Sequence, residues 1–220
     1  GLVVHEDNRQ LADSLINRIK HYLYKKGEYC PDSELSFAPA LCNRIDRNTG
    51  GIVVAAKNAE SLRIINEKIQ QREIQKYYLC LTEGMIVPQS AELHYYLQKD
   101  ESTNKVSVSE RHLDGYKEIV TLYRVISSDG KHSLAEVELK TGRTHQIRAQ
   151  MAYIGFPLVG DVKYGAKEKS KYHALYSYKV KFDFKSDAGI LNYLQGRTFE
   201  TKDIWFAKEI RTEKKGHSDR

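Results

Sequence analysis

Apolar residues recur at helical spacing twice in the first third of the chain. Leu11, Leu15, Ile19 and Leu23 share one face of a helix expected over Arg9–Lys26, with Asn8 as N-cap, Lys25 and Lys26 in the last turn and Gly27 as its stop. Leu62, Ile65 and Ile69 predict a second helix, capped by Asn58, whose far end Gln70–Lys76 is polar and basic. A third, short helix is expected after Thr141-Gly142, with Ile147, Met151 and Ile154 as its apolar stripe, Gly155 as its stop and Pro157 just beyond. Strand patterns fill much of the rest. Leu2–His5 reads as the end of a strand, and Ile52–Ala56, wholly apolar and β-branched at Ile52, Val53 and Val54, predicts a short buried one. Lys76–Leu81 predicts a strand buried on both faces and closed by Gly84. Ile119–Ile126 and Leu134–Lys140 predict a pair joined through Ser128-Asp129-Gly130. In the second of these, Ala135, Val137 and Leu139 alternate with Glu136 and Glu138, which predicts one wet face. His173–Val180 predicts a last strand, followed by Phe182-Asp183-Phe184 and a Trp205-Phe206 edge. Residues 28–41, with Pro31 and Pro39, read as a loop, and the polar run Gln98–Glu110 as an exposed loop or ribbon reaching away from the core. Helices and strands together indicate an α+β class.

Composition narrows the setting. The chain has 220 residues, 40% hydrophobic and 29% charged, enough for one sizeable core. One domain is therefore expected over 1–210, followed by a charged tail, 211–220, expected to be disordered. No apolar stretch is long enough to span a bilayer, and no secretory signal is visible. The three cysteines, Cys30, Cys42 and Cys80, are scattered and odd in number. That pattern suits neither a disulfide framework nor a metal knuckle, and it fits a reducing cytoplasm. The net charge of +6 favours polyanionic partners, and the 15 tyrosines include potential base-stacking faces among ordinary core residues.

Three stretches carry the candidate chemistry. Cys42–Lys57 (CNRIDRNTGGIVVAAK) sets Asp46 between Arg44 and Arg47 ahead of a Thr49-Gly50-Gly51 turn. Taken alone, such a loop reads as solvated charge. Lys76-Tyr77-Tyr78 opens the doubly buried strand, where core packing is the ordinary role of a tyrosine. Residues 139–165 (LKTGRTHQIRAQMAYIGFPLVGDVKYG) put Arg143, His145 and Arg148 at or near the start of the third helix. A helix N-terminus favours anions, so cations gathered there suit a site receiving phosphate or carboxylate.

NRIDRNTGG followed by an apolar run resembles the first motif of the RluA-type pseudouridine synthases, usually HRLDxxTSG, with Asn43 in place of His and Gly50 in place of Ser. Lys76, Tyr78 and Gly84 match the second motif, KxYxxxxxG, and TGRTHQIR with PLVGDxxYG matches the third without gaps. The resemblance covers roughly residues 1–208. It implies a mixed, mostly antiparallel central sheet flanked by helices and loops around a basic cleft. It also implies an isomerase that converts uridine to pseudouridine in RNA, with Asp46 as catalytic carboxylate, Tyr78 against the uracil and Arg148 paired with Asp46. Arg44 would fill the space left by a flipped base, and Arg47, Lys76, Arg143 and His145 would contact the RNA. No cofactor and no metal are expected. The expected partner is RNA, bacterial large-subunit ribosomal RNA before tRNA, acted on by a cytoplasmic monomer not bound to a membrane. No S4 RNA-binding segment is recognised, and the family's first strand and Lys-Pro element are expected before GLVVH. Competing readings are a non-catalytic RNA-binding module on the same scaffold, a glycosylase that releases free base, and a thiol hydrolase built on Cys42.

Overall fold

The computed structural model of the chain describes residues 2, 4, 13–32, 37–208 and 210, and they fall into two compact units. The first comprises Gly1–Gln75 with Val180–Phe199, the second Lys76–Lys179 with Glu200–Arg220.

In the first unit, helix α1 runs over Leu15–Lys25, shorter than the Arg9–Lys26 expected. Its N-cap is Ser14, whose hydroxyl accepts the Asn17 N–H at 3.4 Å, while the expected cap Asn8 lies outside the described residues. Ile16 and Leu23 are buried, and Gly27, at φ 69°, ends the helix as expected. Of the strand expected at Leu2–His5 only Leu2 and Val4 are described; neither is in a strand, and the Val4 carbonyl accepts the Ile16 N–H. The apolar run Ile52–Ala56 does not form the single buried strand its composition predicts. Strand character is confined to β2 (Gly50–Gly51) and β3 (Ala55–Ala56), the latter antiparallel to β1 (Ala40–Leu41). Between them Val54 is held irregularly, its N–H donated to the Asn43 side chain at 2.7 Å and its carbonyl accepting the Cys42 N–H at 2.8 Å. A side-chain acceptor has replaced a ladder partner, which interrupts the strand. Helix α2 (Ala59–Gln70) is capped by Asn58 as expected, through a 2.8 Å bond from the Ser61 N–H. The unit's core gathers Ile64 and Ile65 from α2 with Ile74, Val180, Phe182, Phe184, Ala188 and Leu191.

The chain enters the second unit along β4 (Ile74–Glu83), in which five consecutive residues from Tyr78 to Thr82 are buried. Both faces of the strand are covered, as its unbroken apolar run predicts. Then follow β5 (Ser90–Asp100), β6 (Lys105–Ser109), β7 (Lys117–Ser128), β8 (His132–Leu139), helix α3 (Gln146–Tyr153), β9 (Leu175–Phe182) and β10 (Thr198–Glu200). The sheet order is β10-β9-β4-β8-β7-β5-β6, with β2 also pairing β9. The β4–β8, β8–β7, β7–β5 and β5–β6 pairings are all antiparallel, and the expected hairpin across Ser128-Asp129-Gly130 joins β7 to β8.

Two expectations are corrected in this unit. The polar run at 98–110 is a ribbon, but it does not reach away from the core. Its Val106 is buried in a cluster with Leu97, Ile119 and Ala149. Glu136 and Glu138 are half-buried, not wet. Glu136 accepts hydrogen bonds from the Tyr178 hydroxyl, from Lys179 Nζ at 2.9 Å and from Arg124 Nη2 at 3.2 Å. Burial opposes its charge, but these donors outweigh burial and hold its pKa below the ordinary value. A second cluster joins Leu79, Leu81 and Leu134 to Tyr178, Ile204 and Phe206, so Phe206 is core while neighbouring Trp205 is exposed.

Candidate active site

Asp46 stands on a loop of the first unit between β1 and β2. The Thr49 N–H donates to the Asp46 carbonyl at 2.9 Å, closing a tight turn over Arg47 and Asn48. Thr49 is buried and Asp46 half-buried, while Arg44 and Arg47 are exposed. The carboxylate is thus partly sheltered, with both flanking guanidiniums in solvent. Among the described residues neither guanidinium has a carboxylate partner. The loop is tied on its N-terminal side by Asn43, whose Oδ1 holds the Val54 N–H at 2.7 Å and whose buried Nδ2 has no hydrogen-bond partner among the described residues.

Tyr78 and Lys76 lie on β4 in the second unit. Tyr78 is buried, with Val137 of β8 as its cross-strand partner; adjacent Tyr77 points to the opposite face, opposite Glu138. Lys76 is half-buried, and that burial lowers its pKa from the ordinary lysine value. No carboxylate pairs with it among the described residues. Its Nζ lies 3.9 Å from where a β-carbon on Gly142 would be, so the ammonium sits against the entry to α3.

The start of α3 is built by glutamines. Gln146 Oε1 accepts the Thr141 hydroxyl at 2.9 Å and the Arg143 N–H at 3.0 Å, which folds TGRT back over the helix. Gln146 Nε2 donates to the Val120 carbonyl and to the Thr121 hydroxyl, and Thr121 in turn donates to Gln150 at 2.5 Å. Such a satisfied network fixes the helix against β7 more specifically than apolar contact would. Residues 146–151 are all buried, leaving Arg143 exposed and His145 half-buried. His145 is the N-cap in left-handed conformation, φ 53°, an arrangement that non-glycine residues adopt only where surrounding contacts hold it. Its Nδ1 lies 2.8 Å from the Tyr164 hydroxyl.

Arg148, 7% exposed, is buried almost as fully as Tyr78 at 6%. Its Nε and Nη2 donate to the two Asp161 oxygens at 2.6 and 2.9 Å, a bidentate pair with side chains 8% and 2% exposed. Its guanidinium carbon also lies 5.1 Å from the Tyr164 ring centre. His145 and Arg148 are thus brought together through Tyr164, and Arg148 through Asp161. Neither Asp161 nor Tyr164 was singled out from the sequence, although both stand in the PLVGDVKYG end of the third motif, where their fixed offset from the helix was the available signal. The three candidate catalytic residues come from both units, Asp46 from the first and Tyr78 and Arg148 from the second. Cys42 is a poor nucleophile, because burial raises its thiol to a pKa of about 11 despite a hydrogen bond with the Ala56 backbone.

The family model described as RNA pseudouridylate synthase matches residues 1–153. The chain is 29% identical over 187 residues to the ribosomal large subunit pseudouridine synthase D of Borreliella burgdorferi, covering 83% of this chain and 56% of that protein. It is 30% identical over 188 residues to the uncharacterized RNA pseudouridine synthase YlyB of Bacillus subtilis, covering 83% of this chain and 59% of that protein. The chain therefore spans somewhat over half the length of these two curated relatives. Among solved structures, human RNA pseudouridylate synthase domain containing 4 superposes with a TM-score of 0.71 at 21% identity, over 94% of this chain and 83% of that one. Human RNA pseudouridylate synthase domain containing 1 gives a TM-score of 0.60 at 18% identity, over 79% of this chain and 80% of that one. Both agree with the α+β fold and its mostly antiparallel sheet. With its family model matched over most of its length and all three motifs in order, this chain belongs to the RNA pseudouridylate synthase family.

Proposed function

We propose that this chain isomerises uridine to pseudouridine in RNA, with large-subunit ribosomal RNA as its first substrate class, and that it acts as a cytoplasmic monomer. The observation that carries the reading is the family match together with Asp46, Tyr78 and Arg148 standing at its motif positions. The reaction breaks the C1′–N1 bond, turns the base and rejoins it through C5. The product is an isomer, so no electrons and no second substrate enter the balance. Asp46 supplies the anionic group at the sugar or at C6, and Arg148 stands at the motif position of the arginine that serves it. Tyr78, sheltered on β4, packs against the base, and its hydroxyl assists loss of the proton from C5. The target uridine leaves its stack to reach this site, and Arg44 takes its place. Arg47, Lys76, Arg143 and His145 meet backbone phosphates, which hold the RNA in position without reading its sequence. Three of these cations, Arg44, Arg47 and Arg143, are exposed, as RNA contact requires.

The test uses RNA labelled with 5-tritiated uridine in cells lacking the gene. The wild-type chain should release tritium, and Asp46→Asn should release none while binding RNA at least as tightly, since a negative charge beside phosphate has been removed. Near-normal release by Asp46→Asn removes Asp46 from the mechanism. Mapping pseudouridines in the same RNA before and after treatment names the substrate, and a site found only in tRNA replaces the ribosomal assignment.

A further inference from the structure

We propose that Asp161 and Tyr164 are positioning residues for Arg148, holding its guanidinium in the single orientation that the isomerisation uses without touching the uridine themselves; this rests on the reading that Arg148 serves the reaction.

Arginine has a long, flexible side chain, and a charged group aimed at a reacting centre must be immobilised before the reaction and not during it. Asp161 does this through geometry. It takes the Nε–Nη2 edge of the guanidinium with both carboxylate oxygens, at 2.6 and 2.9 Å. Because the guanidinium is planar, fixing that edge fixes the direction of its Nη1 end. Asp161 is itself immobile. It is 2% exposed, its N–H donates to the Leu158 carbonyl, and its own carbonyl accepts the Tyr164 and Ala166 N–H groups at 3.0 and 3.2 Å. Tyr164 then restrains the guanidinium from a second direction. Its ring lies 5.1 Å from Arg148 Cζ, and its hydroxyl is fixed by His145 Nδ1 at 2.8 Å and by the Val106 N–H of β6 at 3.2 Å. The cation is therefore clamped by a carboxylate along one edge and by a ring held from two separate elements.

A stabilising ion pair with no further role is the competing explanation. Buried ion pairs are weak contributors to stability compared with apolar pairs of the same shape. The two explanations separate in a kinetic measurement. Asp161→Asn keeps the shape and one acceptor while losing the charge and the symmetric fork. Under single-turnover conditions with the 5-tritiated RNA, it should lose about 100-fold in rate constant, the scale of a misaimed catalytic group. RNA affinity by filter binding and the cooperativity of melting should stay as in wild type. In an Arg148→Lys background, which cannot form the fork, the same substitution should cost little more, because both changes remove one interaction.

Wild-type turnover by Asp161→Asn overturns the proposal, and so does an equal fold-loss in the wild-type and Arg148→Lys backgrounds. Should Asp161→Asn fail to fold, Tyr164→Leu decides, since it leaves the ion pair intact and removes the ring together with the hydroxyl that His145 and Val106 hold. About a tenfold slower rate constant with unchanged RNA affinity supports the clamp, and an unchanged rate overturns it. A wild-type chain that releases no tritium sinks the isomerase reading and this proposal together, whereas an active wild type with an undiminished Asp161→Asn sinks the positioning role alone.

Discussion

Tyr77 and Tyr78 are adjacent and chemically identical, yet strand alternation sends them to opposite faces of the sheet, with Glu138 and Val137 as their respective partners. That difference makes Tyr78 a candidate for the base and leaves Tyr77 under Lys179, whose Nζ lies 4.3 Å from its ring centre. Tyr78→Phe keeps the stacking face and loses only the hydroxyl. We expect a substantial loss of turnover with RNA affinity and melting temperature close to wild type; tritium release at the wild-type rate would leave Tyr78 with packing alone. Tyr77→Phe, on the other face, should be nearly silent in the same assay. The motif lettering picks Tyr78 over Tyr77, and its spacing KxY counts in twos along a strand, which sets Lys76 and Tyr78 on one face.

At the scale of elements, the turn from α2 to β4 is pinned by a buried pair that no pattern announces. Lys68 is 2% exposed; its Nζ donates to Glu73 at 2.7 Å and to the Ser186 hydroxyl and carbonyl at 2.6 and 3.0 Å. Glu73 also accepts the Lys185 N–H at 3.0 Å, so the pair fastens the segment at 183–186 onto the end of α2. The bond from Lys68 is the chief cause that holds the Glu73 carboxyl below its ordinary pKa. Lys68→Met should destabilise the chain by about 3–5 kcal/mol in denaturant titration, because it strands a buried carboxylate. Lys68→Met with Glu73→Leu should recover most of that loss. The sign with pH follows. A carboxyl lowered on folding contributes stability that is present above its unfolded pKa and is lost as pH falls through the folded one. The gap between wild type and Lys68→Met should therefore narrow in acid. A gap that is constant from neutral pH to acid means that the ion pair is not its source.

For the whole molecule, the expectation is an electrostatic footprint made of separate small contributions. Arg44, Arg47 and Arg143 are exposed and without carboxylate partners among the described residues, so each can release counterions from RNA on contact. In filter binding by the Asp46→Asn chain, replacing any one with Gln should reduce the slope of log affinity against log salt by about 0.7 if the RNA there is single-stranded. A slope that stays unchanged for all three would remove these arginines from the RNA contact.

What the sequence determines by itself is local or periodic. The cap at Asn58, the stop at Gly27, the doubly buried β4, the β7–β8 hairpin and the three motifs all depend on residues within a few positions of one another, where backbone geometry converts spacing directly into direction. The misreadings have the opposite character. Ile52–Ala56 has the composition of a strand, but Asn43, eleven residues before Val54, took the hydrogen bond that a ladder would have used. Glu136 looked solvent-facing until Tyr178 and Lys179, more than forty residues later, closed over it. The first unit is assembled from residues 1–75 and 180–199 with no linker composition to mark the division, and Arg148 found Asp161 through the return of the chain after α3. Only the tertiary structure could decide these, because a hydrogen bond or an ion pair between distant residues depends on where the fold brings each of them, and neither position along the chain encodes the other.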